Sequence, residues 1–525
     1  MSGKCLVVQE ARFGDLIQTV PLIGDMSQSG YRTVLLVRAG IAASARALSL
    51  ADEVRVWPSF GDPACESSLG RRLSEARRFV SDLKRENFDR VVVLNHHPTG
   101  VLLGRLLGVP VSGFTRILER KDPADHSDLL TGWPGYLVAS SRGIRGLNRI
   151  HLSDMWRGFA GKISGRPPGP APVRSRGYVV IVLGGRSPYR RWKPESLLSL
   201  VRQVRRIDGG DVILTGGPED ESLGALLEKE AGSGVRNMAG KTDVAKLSVL
   251  LAEAGVVVSP DTAPLHLAAA LGVPTLGLFF ASALFFETGA YREGAISVVT
   301  GMDCYPCAGE GAACPHRSCR DSPGTEALAR LIAGVKRGER GRNLASALTE
   351  EMAGAEIWEA EASSSGLLQR VLTPRTLTRE RVLARLLRRF YWRYLNEGTD
   401  LPDLYGELVM EGEGRASGGG CEAGNVPLHL WLCRLGRGVD LYARARESNL
   451  GGGQRDRMVD RLASDFPMMW PLLHLMEWVE GGQGAVRPLV RAAEMLVREA
   501  SEAAELLEGD PGRIFPHKEK AHVAI

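Results

Sequence analysis

The chain has 525 residues, 44% hydrophobic and 24% charged, which is too long for one hydrophobic core and too evenly balanced for a disordered protein, so two or three globular domains are expected. Its net charge of +5 is uneven: residues 1–176 hold 25 Lys/Arg against 16 Asp/Glu, a net of +9, and the rest holds 41 against 45, a net of −4. That excess suits an anionic partner for the first third without requiring nucleic acid.

At the N-terminus, MSGKCLVVQEARFGD carries an apolar run only from Leu6 to Val8, too short for a signal peptide. A cytoplasmic chain with reduced cysteines is therefore expected. Residues 4–8, 33–37 and 90–94 are short aliphatic runs separated by polar, helix-compatible stretches, the rhythm of a parallel α/β sheet. After the first run, QEARFGDLIQTVP reads as a turn at Phe13-Gly14 with Asp15 opening a helix. The helix dipole alone would account for an aspartate there. In the alternative, Asp15 projects toward a second domain and deprotonates an acceptor hydroxyl.

Residues 166–176, GRPPGPAPVRS, cannot hold a helix or a central strand and read as a linker between a first domain, 1–165, and a second, 177–340. In the second domain the runs 178–185, 211–217, 256–262 and 275–280 are strands ending in glycine or polar turns, where ligands of open parallel sheets bind. The first is followed by GGRSPYRRWKPE, in which Gly184 and Gly185 permit close backbone approach and Ser187, Arg190, Arg191 and Lys193 supply donors to phosphate oxygens. The second is followed by TGGPEDE, where Glu219 is placed to accept from ribose hydroxyls.

After the third comes SPDTAPLHLAAALGVPTLGLF. A helix from about Pro264 to Leu271 puts Asp261 and Thr262 at its N-terminus, where unpaired amides and the dipole favour an anion. Simple helix capping by Asp261 or Thr262, and a core role for His266, are the plain alternatives. Residues 262–286 lack Lys, Arg, Asp and Glu, but prolines, glycines and His266 interrupt them, so they read as a buried helix and strand rather than a membrane span.

Four cysteines follow in CYPCAGEGAACPHRSC: Cys304, Cys307, Cys314 and Cys319. Either they bind a structural zinc, or they form a reduced loop packed on the domain. From about residue 341 the aliphatic runs stop and helical periods appear at 378–395 and 487–508, with glycine-rich loops at 412–420 and 451–453. Residues 341–525 are thus expected to be a helical extension. In 378–395, Arg381, Arg385, Arg388, Arg389 and Arg393 flank an apolar stripe, which either docks on an anionic membrane or packs on its own domain.

The FGD-L-x-x-T-x-P stretch, RRW-x-P, GGPED and D-T-x-P-L-H-L-A-A-A-L-G-V-P together resemble family 9 glycosyltransferases, the heptosyltransferases of lipopolysaccharide core assembly, over residues 4–340. The resemblance implies the two-Rossmann GT-B architecture and inverting, metal-independent transfer of a sugar, typically from ADP-heptose, to an anionic glycolipid acceptor, with no cofactor and no nucleic acid. It places Asp15 on the family's general base, Arg190 on its basic residue near the donor diphosphate, Glu219 on its ribose acid, and Asp261, Thr262, Ala263 and His266 on its donor stretch. Two positions depart from the pattern: Ala263 stands where members carry glycine, and Arg190 where they carry lysine. Those departures leave open another nucleotide-sugar used for a surface or flagellar glycan; a non-catalytic glycan or nucleotide-sugar binding scaffold is the alternative from a different class.

Overall fold

A computed structural model of the chain describes residues 3–396, apart from short stretches of which 59–68 and 116–131 are the longest, together with residue 498. Two sheets form its frame. The first has the order β3-β2-β1-β4-β5, all parallel, from β1 (Gly3–Gln9), β2 (Tyr31–Val37), β3 (Glu53–Val56), β4 (Arg90–Val93) and β5 (Val111–Gly113). β1 lies at its centre, with Val7 between Leu35 and Val92, and all three side chains are fully buried.

The second sheet has the order β13-β12-β11-β10-β9-β6-β7-β8. Its parallel part comprises β6 (Val179–Val182), β7 (Val212–Thr215), β8 (Val235–Asn237), β9 (Val256–Pro260), β10 (Thr275–Phe279) and β11 (Ile296–Thr300). Counted from β6, that is the 3-2-1-4-5-6 order of a dinucleotide-binding fold, and the first sheet repeats its first five positions. The chain is therefore α/β with two doubly wound sheets, the GT-B plan. Residues 166–173 between them have no regular secondary structure; Gly169 O accepts from Arg292 Nη1 at 2.7 Å and Pro168 O from Glu293 N at 3.0 Å.

Beyond residue 341 the sequence suggests only helices, yet β12 (Ala355–Ser363) pairs antiparallel with β11 and β13 (Gly366–Val371) extends the edge. AEIWEAEAS carries three glutamates, which hid the strand; two of them are buried because they are satisfied locally. Glu356 Oε2 accepts from Trp358 Nε1 at 2.9 Å, and Glu359 accepts from Arg340 Nε and Gly341 N, both at 3.0 Å.

By its contacts the chain divides into two compact units, and both parallel sheets lie in the first. The second unit gathers the helix Gly132–Arg142 and the helix Arg379–Leu395. Trp133 meets Trp392 edge-on at 5.8 Å between ring centroids, and Tyr136 lies 4.8 Å from Tyr391. The membrane-docking reading of 378–395 is corrected here. Arg385, Arg388 and Arg389 are buried, with Arg385 donating to Gln369 O at 2.5 Å and Arg388 to Ser365 Oγ at 3.1 Å, so these charges are turned into the protein and not toward lipid. No helix among the described residues is long and apolar enough to cross a membrane. The helical period at 487–508, except residue 498, and the glycine-rich loops at 412–420 and 451–453 lie outside the described residues.

Candidate functional site

In the second sheet the winding reverses between β6 and β9, and the loops after those two strands are the glycine pair and the Asp-Thr turn. They touch: a Cβ on Gly185 would lie 3.2 Å from Thr262 Cγ2. The following helix runs Ala263–Ala270, with Pro264 in its first turn, where no amide donor is needed. Thr262 is its N-cap residue in extended backbone, but its side chain makes no capping bond; Thr262 Oγ1 pairs instead with Ser259 Oγ at 2.9 Å. The capping explanation of this motif therefore fails for Thr262, and the helix mouth keeps amides to offer an anion.

Asp261 and His266 occupy that mouth. Asp261 Oδ2 lies 3.4 Å from Arg190 Nη1 and Asp261 Oδ1 lies 3.7 Å from His266 Nε2. Arg190 also donates to Ser282 Oγ at 2.8 Å. Ser187 caps the short turn Pro188–Arg190 by accepting from Tyr189 N at 3.3 Å. Ser187, Arg190, Asp261, Thr262, Ala263 and His266 thus gather at one sheet edge.

Glu219 joins them only loosely. Its side chain is 61% exposed and 3.9 Å from Arg191. The acid built into the site is its neighbour Asp220, 2% exposed, which accepts from Gly217 N at 3.0 Å and from Arg191 Nη1 at 3.1 Å. Arg191 also donates to Gly185 O at 2.5 Å, so one guanidinium ties the loop after β6 to the turn after β7. Burial pushes the Asp220 carboxyl above the ordinary range, opposed by the Gly217 amide and the Arg191 charge. GGPED offers two adjacent acids, and nothing in a linear reading tells which one faces inward.

Asp15 reaches this edge from the other sheet. It sits in the first turn of the helix Phe13–Gln18, accepting from Arg12 N at 3.2 Å. Ile17 of that helix is buried in the core of the second sheet's layer with Leu250, Leu251, Leu267 and Ala268. A Cβ on Gly14 would lie 3.5 Å from His266 Cδ2 and 3.7 Å from Ala263 Cα, and Gln18 Nε2 lies 3.5 Å from His266 Nε2. Burial raises the Asp15 carboxyl above the usual aspartate value; the Arg12 amide and the charge of His266 pull it back, and Asp261 adds to the rise.

The structural-zinc reading of the cysteines gains no support among the described residues. Among the described residues, which include Cys304, Cys307, Cys314 and Cys319, no group of three or more His, Cys, Asp or Glu side chains is arranged to hold a metal ion. The segment is held by ordinary bonds to the loop after β10: Cys307 N donates to Ala281 O at 2.9 Å and Tyr305 Oη to Ala283 O at 2.6 Å.

Residues 157–316 match the family model described as Glycosyltransferase family 9 (heptosyltransferase). The chain is 28% identical over 338 residues to lipopolysaccharide heptosyltransferase 1 of Pseudomonas aeruginosa, covering 58% of this chain and 86% of that one. It is 32% identical over 130 residues to lipopolysaccharide heptosyltransferase 3 of Escherichia coli, covering 22% and 38%. Among solved structures, the E. coli ADP-heptose lps heptosyltransferase II aligns with a TM-score of 0.42 at 16% identity, over 63% of this chain and 98% of that one. An E. coli heptosyltransferase with ADP aligns with a TM-score of 0.42 at 20% identity, over 55% and 91%.

Proposed function

Because residues 157–316 match the model of glycosyltransferase family 9, we propose that the chain transfers a heptose, with inversion, from ADP-heptose to a hydroxyl of a lipopolysaccharide-core acceptor at the cytoplasmic face of the membrane. One observation carries the reading. The helix bearing Asp15 is seated on the helix bearing His266, so a carboxylate from the first sheet stands beside the nucleotide-type edge of the second.

In this reading the donor diphosphate lies at the N-terminus of Ala263–Ala270, against its amides and Arg190. Asp15 takes the proton of the acceptor hydroxyl as its oxygen attacks the anomeric carbon from the face opposite the nucleotide. The bond to the diphosphate oxygen breaks, and the charge left on ADP is met by Arg190 and the helix dipole, so the reading calls for no metal. Glu219, or Asp220 beside it, takes the ribose.

Incubation with ADP-heptose and a heptose-free core oligosaccharide should add one heptose to the acceptor by mass spectrometry. Stable ADP-heptose and an unchanged acceptor mass would defeat the assignment. A second reading, a different sugar on the same scaffold, draws on Ala263, whose methyl stands at the helix mouth where the family carries glycine. A panel of nucleotide-sugars in the same assay separates the two. Arg190→Ala is expected to weaken ADP binding about tenfold to hundredfold in calorimetry, the loss of a charge-assisted contact. Unchanged affinity would take Arg190 out of the donor site.

A further inference from the structure

The transferase reading leaves open what holds the acceptor sugar. The first sheet repeats the winding of the second, so it has its own point of reversal, between β1 and β4. Glu10 follows β1 there, and Asn95, His97 and Thr99 follow β4. Asp15 lies on the same connection as Glu10.

These side chains form one hydrogen-bonded group. Glu10 N donates to Asn95 Oδ1 at 2.5 Å, and Thr99 Oγ1 donates to Glu10 Oε1 at 2.7 Å. His97 Nδ1 lies 2.6 Å from Thr99 Oγ1 and 3.5 Å from Glu10 Oε1. The group runs from the interior to the surface: the Glu10 side chain is 5% exposed and that of His97 is 44%. Glu10 Oε2 is buried with no hydrogen-bond partner among the described residues. Gly100 preserves the space beside it, since a Cβ there would come within 2.9 Å of Oε2.

A buried carboxylate with an unused oxygen is a standing cost to folding. It makes sense where a ligand supplies the missing donor. We infer that Glu10 and His97 form the acceptor-sugar subsite, with Asn95 and Thr99 holding them in place. Its ligand class is a polyol, a sugar ring whose adjacent hydroxyls donate to the Glu10 carboxylate and meet the His97 imidazole. One of its other hydroxyls is thereby turned toward Asp15.

This inference rests on the transferase reading, and its test separates the two. Wild type, Glu10→Gln and His97→Ala are compared for acceptor KM with heptose-free core oligosaccharide, for kcat, and for ADP affinity by calorimetry. The expected result is an acceptor KM raised about tenfold or more in both variants, with ADP affinity within about twofold of wild type. A merely structural role would lower the melting temperature and weaken ADP binding in step. That outcome, or an unchanged KM in an active and folded variant, overturns the subsite. Glu10→Gln keeps the side chain's shape and decides the matter alone if His97→Ala melts early. A wild-type protein that binds ADP but transfers no sugar, or binds neither substrate, overturns the transferase reading and this subsite with it.

Discussion

Asp15→Asn should reduce sugar transfer about a thousandfold and leave ADP affinity within about twofold, because a positioned general base contributes roughly 10²–10⁴ to rate and little to donor binding. The amide keeps the bond from Arg12 N at 3.2 Å, so the helix start survives. A loss of ADP binding in parallel would mean that Asp15 shapes the donor edge instead of acting on the acceptor, and full activity would remove it from the chemistry.

The pH profile gives an independent check. Burial holds the Asp15 carboxyl above the ordinary aspartate value, and a base acts only when deprotonated. Activity should therefore fall as pH drops through that raised value, earlier than a solvent-exposed aspartate would allow, and recover fully above it. Histidines also titrate as pH falls, so the acid limb belongs to Asp15 only if Asp15→Glu moves it. An acid limb unmoved by that change would assign it to another group.

Gly184→Ala should be the most damaging small substitution in the second sheet's site. A Cβ there would lie 1.9 Å from Asp220 Oδ2, a distance no relaxed structure contains. Asp220 must then leave Gly217 N, Arg191 or both, and a buried carboxylate stripped of one partner costs about 1–3 kcal/mol. At roughly 2–4 °C per kcal/mol, the melting temperature should drop by several degrees. ADP binding should weaken as well, because Arg191 no longer joins the loop after β6 to the turn after β7. Combining Gly184→Ala with Asp220→Ala should cost less than the sum of the two, since the clash disappears with the carboxylate. Full additivity would show that the two positions do not interact.

Most of the frame was legible because its strands are buried on both faces and read as unbroken aliphatic runs: KCLVV, TVLLV, RVVVL, VVIV and TLGLF. The strands that escaped lacked that mark. Glu53–Val56 and Val235–Asn237 are short and partly exposed edge strands, and Ala355–Ser363 carries two buried glutamates, Glu356 bonded by Trp358 of the same strand and Glu359 by Arg340 and Gly341. Arg385 and Arg388 of Arg379–Leu395 misled for the converse reason: their charge suggests a surface, but the backbone carbonyls of Gln369 and Ser365 receive them inside.

The sequence by itself determined the two doubly wound sheets, since their buried strands follow from hydrophobic period and from the proline and glycine placement between them. Only the tertiary structure decided which of two adjacent acids is buried, that Arg191 ties the loop after β6 to the turn after β7, and that Glu10, Thr99 and His97 form one hydrogen-bonded group. These depend on how β6 lies against β7 and β1 against β4, pairings made between residues distant in the chain, and nothing in local periodicity encodes which side chains such pairings bring within hydrogen-bonding reach.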